Sequence, residues 1–352
     1  MSKSTIVDVA RLAGVSVASV SRVLNQNYPV SAATREKVLR CIDELHYEVN
    51  RNARNLKTNK SHMIGVVVTD ISNAYFMAIA KGLETVMDPA GYTLVCASTH
   101  ENPRKEQQII RSLQEYQVDG IVLASCCTQS DLLRSVIHAP MACVLVDNPL
   151  PDMQVDMVEE NDREAMETLI THLIEMGHSR IALLNGDLRL HTGMSRFQGY
   201  LDALEKAGIE LDAHYVLDAH FDKAEATEKC RMLLSQRDAP PPTVVVGASN
   251  LMTEGALVAF GQLGLRVPED ISVASFNELN SADLIRPVMT HLQDNTFDIG
   301  RIAGNLLLAR MEGGEDKAGR EPVHMHRLTK RLVIGDSVQR IAGRPAGMQR
   351  EE

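Results

Sequence analysis

The sequence predicts an α/β protein in which a small head of three helices and a short hinge helix precede a large core of two lobes, each a doubly wound parallel sheet. Three observations lead there. Residues 4–25 hold two short apolar-periodic runs separated only by Gly14-Val15-Ser16. Beyond residue 60, short β-branched runs alternate with helical patterns, as expected of parallel strands covered on both faces. Charge is segregated as well: the whole chain carries −10, yet residues 1–60 hold ten basic against five acidic residues, so a +5 head precedes a −15 body.

Thr5 followed by Asp8 has the spacing of a capping box, and Ile6, Val9, Ala10 and Ala13 recur at helical intervals behind it. Gly14 supplies a left-handed residue that stops the first helix, and Ser16 can accept from the amides opening the second. The second helix then turns Val20, Val23 and Leu24 inward, with the small Ala10 allowing close crossing. Val17, Ala18, Ser19, Ser21 and Arg22 are left outside. Short side chains at the start of a projecting helix can approach base edges, and an arginine one turn on can fork onto guanine, which is the layout of a helix-turn-helix. An ordinary αα-hairpin is the alternative for the pair taken alone; the basic sign of the segment favours nucleic acid. A third helix opens at Ser31, with Val38, Ile42 and Leu45 on one side and Leu39 beside them. Three helices in about 47 residues make a core near the limit of independent stability.

Residues 50–60, NRNARNLKTNK, are polar and basic with only Ala53 and Leu56 apolar. The segment reads either as a flexible linker or as one that folds upon a minor groove and wedges its leucine between base pairs.

With these residues in hand, TIVDVARLAGVSVASVSRVLN and VSAATREKVLRCIDELHYEVNRNARNLKT resemble the head and hinge of the LacI/GalR family of transcription regulators. The similarity continues through IGVVVTDISNAYF, HLIEMGHSRIALL, RVPEDISVASFNE and FDIGRIAGNLLLARMEG, from residue 4 to about residue 337. The resemblance implies a dimeric, ligand-controlled regulator, usually a repressor, that binds near-palindromic operator DNA. By matching positions, Val17, Ala18, Ser19 and Arg22 would face bases and Leu56 would be the intercalating hinge leucine. Thr5, Ser16, Ser21, Asn25, Ala53 and Lys57 complete the expected DNA-binding set.

The body carries strand-like runs MIGVVV, TLVCAS, GIVLAS, MACVLVD, RIALLNG, TVVVGA and ISVASF, alternating with helical patterns at 75–88, 104–116, 163–176, 195–207, 223–235 and 251–263. About 280 residues exceed a comfortable single core, so two lobes are expected. The resulting organisation is a head at 1–49, a hinge at 50–60 and a core at 61–340, with a flexible tail at 341–352. The resemblance further implies that the chain crosses between lobes, so that lobe 1 takes about 61–161 and 294–328, and lobe 2 about 162–293 and 329–340. The core thus resembles a periplasmic sugar-binding protein, whose ligand sits between the lobes at the C-terminal ends of the strands.

Other classes are set aside on specific grounds. A periplasmic binding protein would need a signal peptide, and Met1 to Ala10 has no apolar stretch; no run approaches membrane-spanning length, so a cytoplasmic location is expected. Six cysteines without a C-x-x-C, and with a vicinal pair at Cys126-Cys127, fit a reducing compartment, and packing is the expected role of that pair. His324 and His326 share a strand face without further metal ligands. No nucleophile, base and orienter come together, so neither an enzyme nor a cofactor is expected.

Strand ends pick out the candidate effector-binding residues: Asp70, Asn73, Tyr75 and Phe76 with Ser72, then Ser125, Asp147, Glu160 and Asn161, then Arg189, His191, Thr192 and Arg196. Phe221, Ser249, Asn250, Asn277 and Gln293 follow. Such polar groups satisfy a hydroxyl-rich ligand, and an aromatic ring can lie against its apolar face. Regulators of this family commonly carry an acid where this chain has Asn277 and Asn-Asp where it has Ser249-Asn250. If those amides leave Arg196 and Arg189 without a neutralising carboxylate, a sugar acid or sugar phosphate is expected ahead of a neutral sugar; Asp70, Asp147 and Glu160 argue the other way.

Overall fold

The computed structural model describes residues 4–25, 30–47, 60–127, 133–134, 141–150, 153–236, 239–280, 282–312 and 323–341. The hinge residues Ala53, Leu56 and Lys57, the side chain of Asn25 and the tail beyond residue 341 lie outside them. The chain divides into two compact units, residues 1–61 and 62–352.

The first unit is helical. α1 (Ile6–Ala13) is capped by Thr5 and Asp8 in a reciprocal box, and Gly14 ends it at φ 58°. α2 (Val17–Asn25) follows at once, and α3 (Ala32–Glu44) opens on Ser31, whose side chain accepts from the Thr34 amide. Val9, Ala10, Ala13, Val20, Val23, Val38 and Cys41 are the buried core, with Ile42 and Leu45 packed against it. The structure corrects one expectation here: Leu39 is 47% exposed and Cys41, two residues on, occupies the inward position.

The second unit holds two six-stranded sheets, and ten α-helices in all lie among the described residues. The chain begins the first lobe with β1 (Met63–Val68), α4 (Ala74–Met87), β2 (Thr93–Ser98), α5 (Pro103–Glu115), β3 (Gly120–Leu123), β4 (Ala142–Val146) and β5 (Asp156–Glu160). It crosses into the second with α6 (Asp162–Glu175), β6 (Ile181–Asn185), α7 (His191–Lys206), β7 (Val216–Asp218), α8 (Lys223–Ser235), β8 (Val244–Gly247), α9 (Asn250–Leu263), β9 (Ser272–Ser275) and β10 (Thr290–Gln293). It returns with α10 (Thr296–Glu312) and β11 (Met325–Leu328), then crosses a third time into β12 (Arg331–Val333).

The sheet orders are β11-β5-β4-β3-β1-β2 and β12-β10-β9-β8-β6-β7, parallel throughout except for the antiparallel β10–β12 pair. The interior strands are buried on both faces, which is why β1, β3, β6 and β8 read as unbroken apolar runs rather than alternating ones. β5, β7, β10, β11 and β12 carry more polar residues and escape that pattern.

α4 and α10 cross in the first lobe with almost no space between their backbones. A Cβ on Gly82 would stand 2.0 Å from the Phe297 carbonyl oxygen, and one on Gly300 would stand 1.9 Å from that of Ile79. The small residues let Ile79, Leu83, Ile299, Ala303 and Leu307 close one core around the crossing. The three crossings between lobes then run side by side past the C-terminal ends of the strands, where the cleft opens.

Candidate functional site

Two sites are built by these elements, one on each unit. On the head, Ser16 fixes the start of α2 by accepting from the Ser19 amide at 3.1 Å. With Val20 and Val23 turned into the core, helical spacing leaves Val17, Ala18 and Arg22 exposed and Ser19 and Ser21 half-buried. Thr5 is spent on capping, donating to and accepting from Asp8, whose carboxyl that bonding holds below its ordinary range.

The second site is a cleft of about 260 Å³ between the lobes. It brings together Asp70, Asn73, Tyr75, Phe76, Ser125 and Asp147 from the first lobe with Thr192, Arg196, Phe221, Ser249, Asn250 and Asn277 from the second. Strand ends and helix starts position them. Asn73 caps α4, accepting from the Tyr75 amide at 3.1 Å, and its side-chain oxygen also accepts from Asn250 Nδ2 across the cleft at 2.9 Å. Ser249 caps α9. Ser125 donates at 2.8 Å to the wholly buried Glu106, which also receives the Cys126 amide at 2.7 Å.

Glu106 also receives the Cys126 and Cys127 thiols, at 3.0 and 3.3 Å. Burial first and the carboxylate second push both thiols up, Cys127 to about 12, so the vicinal pair stays protonated and serves as a donor pair beneath the cleft wall.

Six of the expected residues stand elsewhere: Ser72 donates to Asp70 at 2.7 Å outside the lining, Asn161 accepts from the Lys330 amide at 2.8 Å, His191 is exposed at the start of α7, and Glu160, Arg189 and Gln293 are each held away from the cleft. Glu160 lies beneath the floor, accepting from Asn295 at 2.9 and 3.0 Å and pairing with Lys330 at 2.8 Å. Arg189 points to solvent and is held by Asp187 at 2.9 Å. Gln293 is the exposed last residue of β10, paired in register with Arg331 of β12.

The structure also corrects the expectation that the amides leave the arginines without carboxylates. Arg196 is buried, donates to Asp162 at 2.7 Å and to the Ala248 carbonyl at 2.8 Å, and lies over the Phe276 ring at 4.2 Å. Burial opposes its charge, but Asp162 and Asp147 outweigh that and hold its pKa above the ordinary value. Asn277 donates to Asp294 at 2.6 Å, so an acid lies directly behind the amide.

Thr69, His100, Glu101, Asn148, Leu190, His220, Asp222 and Leu251 also line the cleft and were not anticipated. His100-Glu101 and His220-Phe221 sit at the ends of β2 and β7 with left-handed backbones, φ 47° to 56°. The strand-end rule that selects Asp70 and Phe221 extends to His100, Glu101 and His220 as well. Glu101 is exposed at the cleft mouth but crowded by acids: desolvation first, then Asp147 and Asp187, raise its carboxyl to about 7, with His220 pulling the other way.

The sign of that shift sets a pH dependence. A carboxyl that titrates near 7 when folded and near 4.5 otherwise favours the fold when protonated, so its contribution is full below about 4.5 and is lost as pH rises through 7. Glu101→Gln is expected to flatten melting temperature against pH across that window. Above it the gain should be roughly 2 °C, or about 1 kcal/mol after allowance for solvent screening. Scanning calorimetry reads this directly, and a variant curve parallel to the parent's would remove Glu101 from the acidic cluster.

Residues 5–50 match the family described as bacterial regulatory proteins, lacI family, and residues 61–329 match periplasmic binding proteins and sugar binding domain of LacI family. The chain belongs to the LacI family. The HTH-type transcriptional repressor PurR of Vibrio vulnificus is 34% identical over 340 residues, covering 96% of this chain and 99% of that one. PurR of Haemophilus influenzae is 32% identical over 341 residues, again covering 96% and 99%. Among solved structures, a transcriptional regulator CelR–cellobiose complex is 30% identical with TM-score 0.69, covering 95% of this chain and 100% of that one. The lac repressor dimer bound to operator and the anti-inducer ONPF, 23% identical, shares the fold with TM-score 0.81 over 96% and 100% of the two chains. This LacI-family chain is therefore a ligand-responsive DNA-binding transcriptional repressor and not an enzyme, with a helix-turn-helix head and a two-lobed core of the periplasmic-binding-protein type. No described helix is long and apolar enough to cross a membrane.

Proposed function

We propose that the chain acts as a dimer whose two heads bind a near-palindromic operator, and that a small hydroxyl-rich molecule without an anionic group fills the cleft and changes that binding. The observation that carries the effector reading is the lining itself: Asp70, Glu101, Asp147 and Asp222 face the cleft, and its one arginine is already held by Asp162. A sugar acid or sugar phosphate would meet like charge there, whereas hydroxyls find acceptors and the Phe221 ring a sugar's apolar face. Dimerisation is supported by β2, an edge strand with Val95 and Cys96 exposed, beside the exposed Ile71, whose amide bonds Ser98 Oγ at 3.0 Å. For the hinge, Leu56 as a minor-groove wedge remains the proposal from sequence.

Linkage requires that whatever the effector does to operator affinity, operator does equally to effector affinity. Selection of bound genomic fragments is expected to recover one enriched near-palindrome. Its affinity should fall steeply with salt, with a logarithmic slope of about −0.9 for each phosphate neutralised. Arg22→Ala should weaken that fragment by about 1–3 kcal/mol and leave scrambled duplex little changed. Recovery of no palindrome, with or without a cell extract supplying ligands, would defeat the operator reading.

A further inference from the structure

The first-lobe wall of the cleft carries more acceptor capacity than the protein itself satisfies. Asp147 is held there with a left-handed backbone, φ 66°, which an aspartate tolerates better than most residues, and its carboxylate accepts from the Tyr75 hydroxyl at 2.8 Å. Its neighbour Asn148 is 4% exposed and spends its Nδ2 on the Ser125 carbonyl at 2.9 Å, while its Oδ1 is buried with no hydrogen-bond partner among the described residues. Glu101 completes the wall.

The nearby cations are committed to other acids. Arg196 pairs with Asp162, Arg189 with Asp187, and Lys330 with Glu160 and Asp294. His220 pairs with Asp218 and Glu225. Neither Glu101 nor Asp147 forms an ion pair among the described residues, although Arg196 offsets part of the burial that raises Asp147. Two cleft-lining carboxyls without ion-pair partners among the described residues, the charge of Asp147 raising Glu101, stand beside an unpartnered amide oxygen and form a site for a group that brings positive charge and several donors together.

We propose that the effector carries a protonated amine beside its hydroxyls, and that Glu101, Asp147 and Asn148 Oδ1 receive that ammonium group. This rests on the reading of the cleft as the effector site. An ammonium has three donors and no acceptor, which matches the character of these acceptors, and its charge offsets the one that Asp147 presents to Glu101. A neutral polyol could serve Asn148 but would leave the two acids facing each other, and an anion would add to them.

The test uses the full chain with glucosamine and galactosamine, their N-acetyl derivatives, glucose, galactose, ribose, glucuronate and glucose 6-phosphate, followed by thermal shift and titration calorimetry. At least one free amine is expected to bind ten-fold or more tightly than both its N-acetyl derivative and its parent sugar. Glu101→Gln should abolish that preference, and Asp147→Asn should do the same as a second, independent variant. Equal or better binding by a neutral sugar or an anion would overturn the proposal, as would an amine preference that survives both variants or no binding by any amine. Phe221→Ala separates this failure from that of the underlying reading: a ligand whose binding is unchanged by that variant binds outside the cleft and overturns both.

Discussion

Replacing Lys330 with methionine is expected to destabilise the core by about 3–5 kcal/mol, the range for removing one partner of a buried ion pair. The Lys330 side chain is wholly buried, its ammonium 2.8 Å from Glu160 and in direct contact with Asp294, and it lies 5.1 Å from the centre of the Phe276 ring. Burial opposes its charge, yet Asp294 and Glu160 outweigh this and keep its pKa above the ordinary 10.5. A raised basic group contributes fully below its unfolded value, so the stabilisation is complete at neutral pH and lost only in strong base. Methionine preserves most of the stem but abandons two buried carboxylates. Urea denaturation measures the loss, and the triple variant Lys330→Met, Glu160→Gln, Asp294→Asn should recover most of it. A single variant within about 1 kcal/mol of the parent would mean that solvent already compensates the acids.

The crossing of α4 and α10 should be nearly as sensitive. Gly82→Ala and Gly300→Ala each place a methyl group against a backbone carbonyl that has no rotamer by which to yield. The helices must part, and Leu83 and Leu307 lose packing on both sides, so each variant should cost about 3 kcal/mol, the upper end of the usual range for overpacking. Both changes force the same separation, and the double variant should therefore fall short of the sum by about 1 kcal/mol or more. Denaturation of the three proteins decides it: a neutral single variant, or strict additivity, would show that the crossing is not close-packed as described.

How far the fold was legible depended on chemistry that is local. α1 and α2 could be drawn from Thr5, Asp8, Gly14 and Ser16 because caps act within four residues. The central strands announced themselves through apolar runs, whereas β5, DMVEE, did not, since its acids pair with cations and amides: Asp156 with Arg310 of α10, Glu159 with Arg327 of β11, and Glu160 with Asn295 and Lys330 at the crossing. Leu39 stands outside the core, and Cys41, to which the apolar pattern assigns no place, stands inside it, because a helical stripe read from a few apolar positions is uncertain by one step.

The cleft followed the same division. Strand ends could be found from sequence, so most of its lining was anticipated. What each residue spends its hydrogen bonds on could not, because the partners lie far along the chain: Arg196 and Asp162 are 34 residues apart, Asn250 and Asn73 are 177 apart. Gln293 was misplaced for a related reason. Whether the last side chain of a strand faces a cleft or solvent depends on a register with β12 that period-two reasoning alone does not fix.

The order in which the chain visits its two sheets also governs how it emerges from the ribosome. When β5 is complete, the first lobe still lacks α10, and β5 has no β11 beside it; Phe76, Ile79 and Leu83 have no Ile299, Ala303 or Leu307 to cover them. The missing helix is separated from β5 by the entire run from α6 to β10, so at ordinary translation rates the half-built lobe waits on the order of ten seconds with apolar surface in water. The second lobe suffers no such delay, since β6 to β10 are made without interruption and only the short β12 arrives late. The lobe begun second is thus the one equipped to close first, and the lobe begun first is where a nascent chain most needs a chaperone.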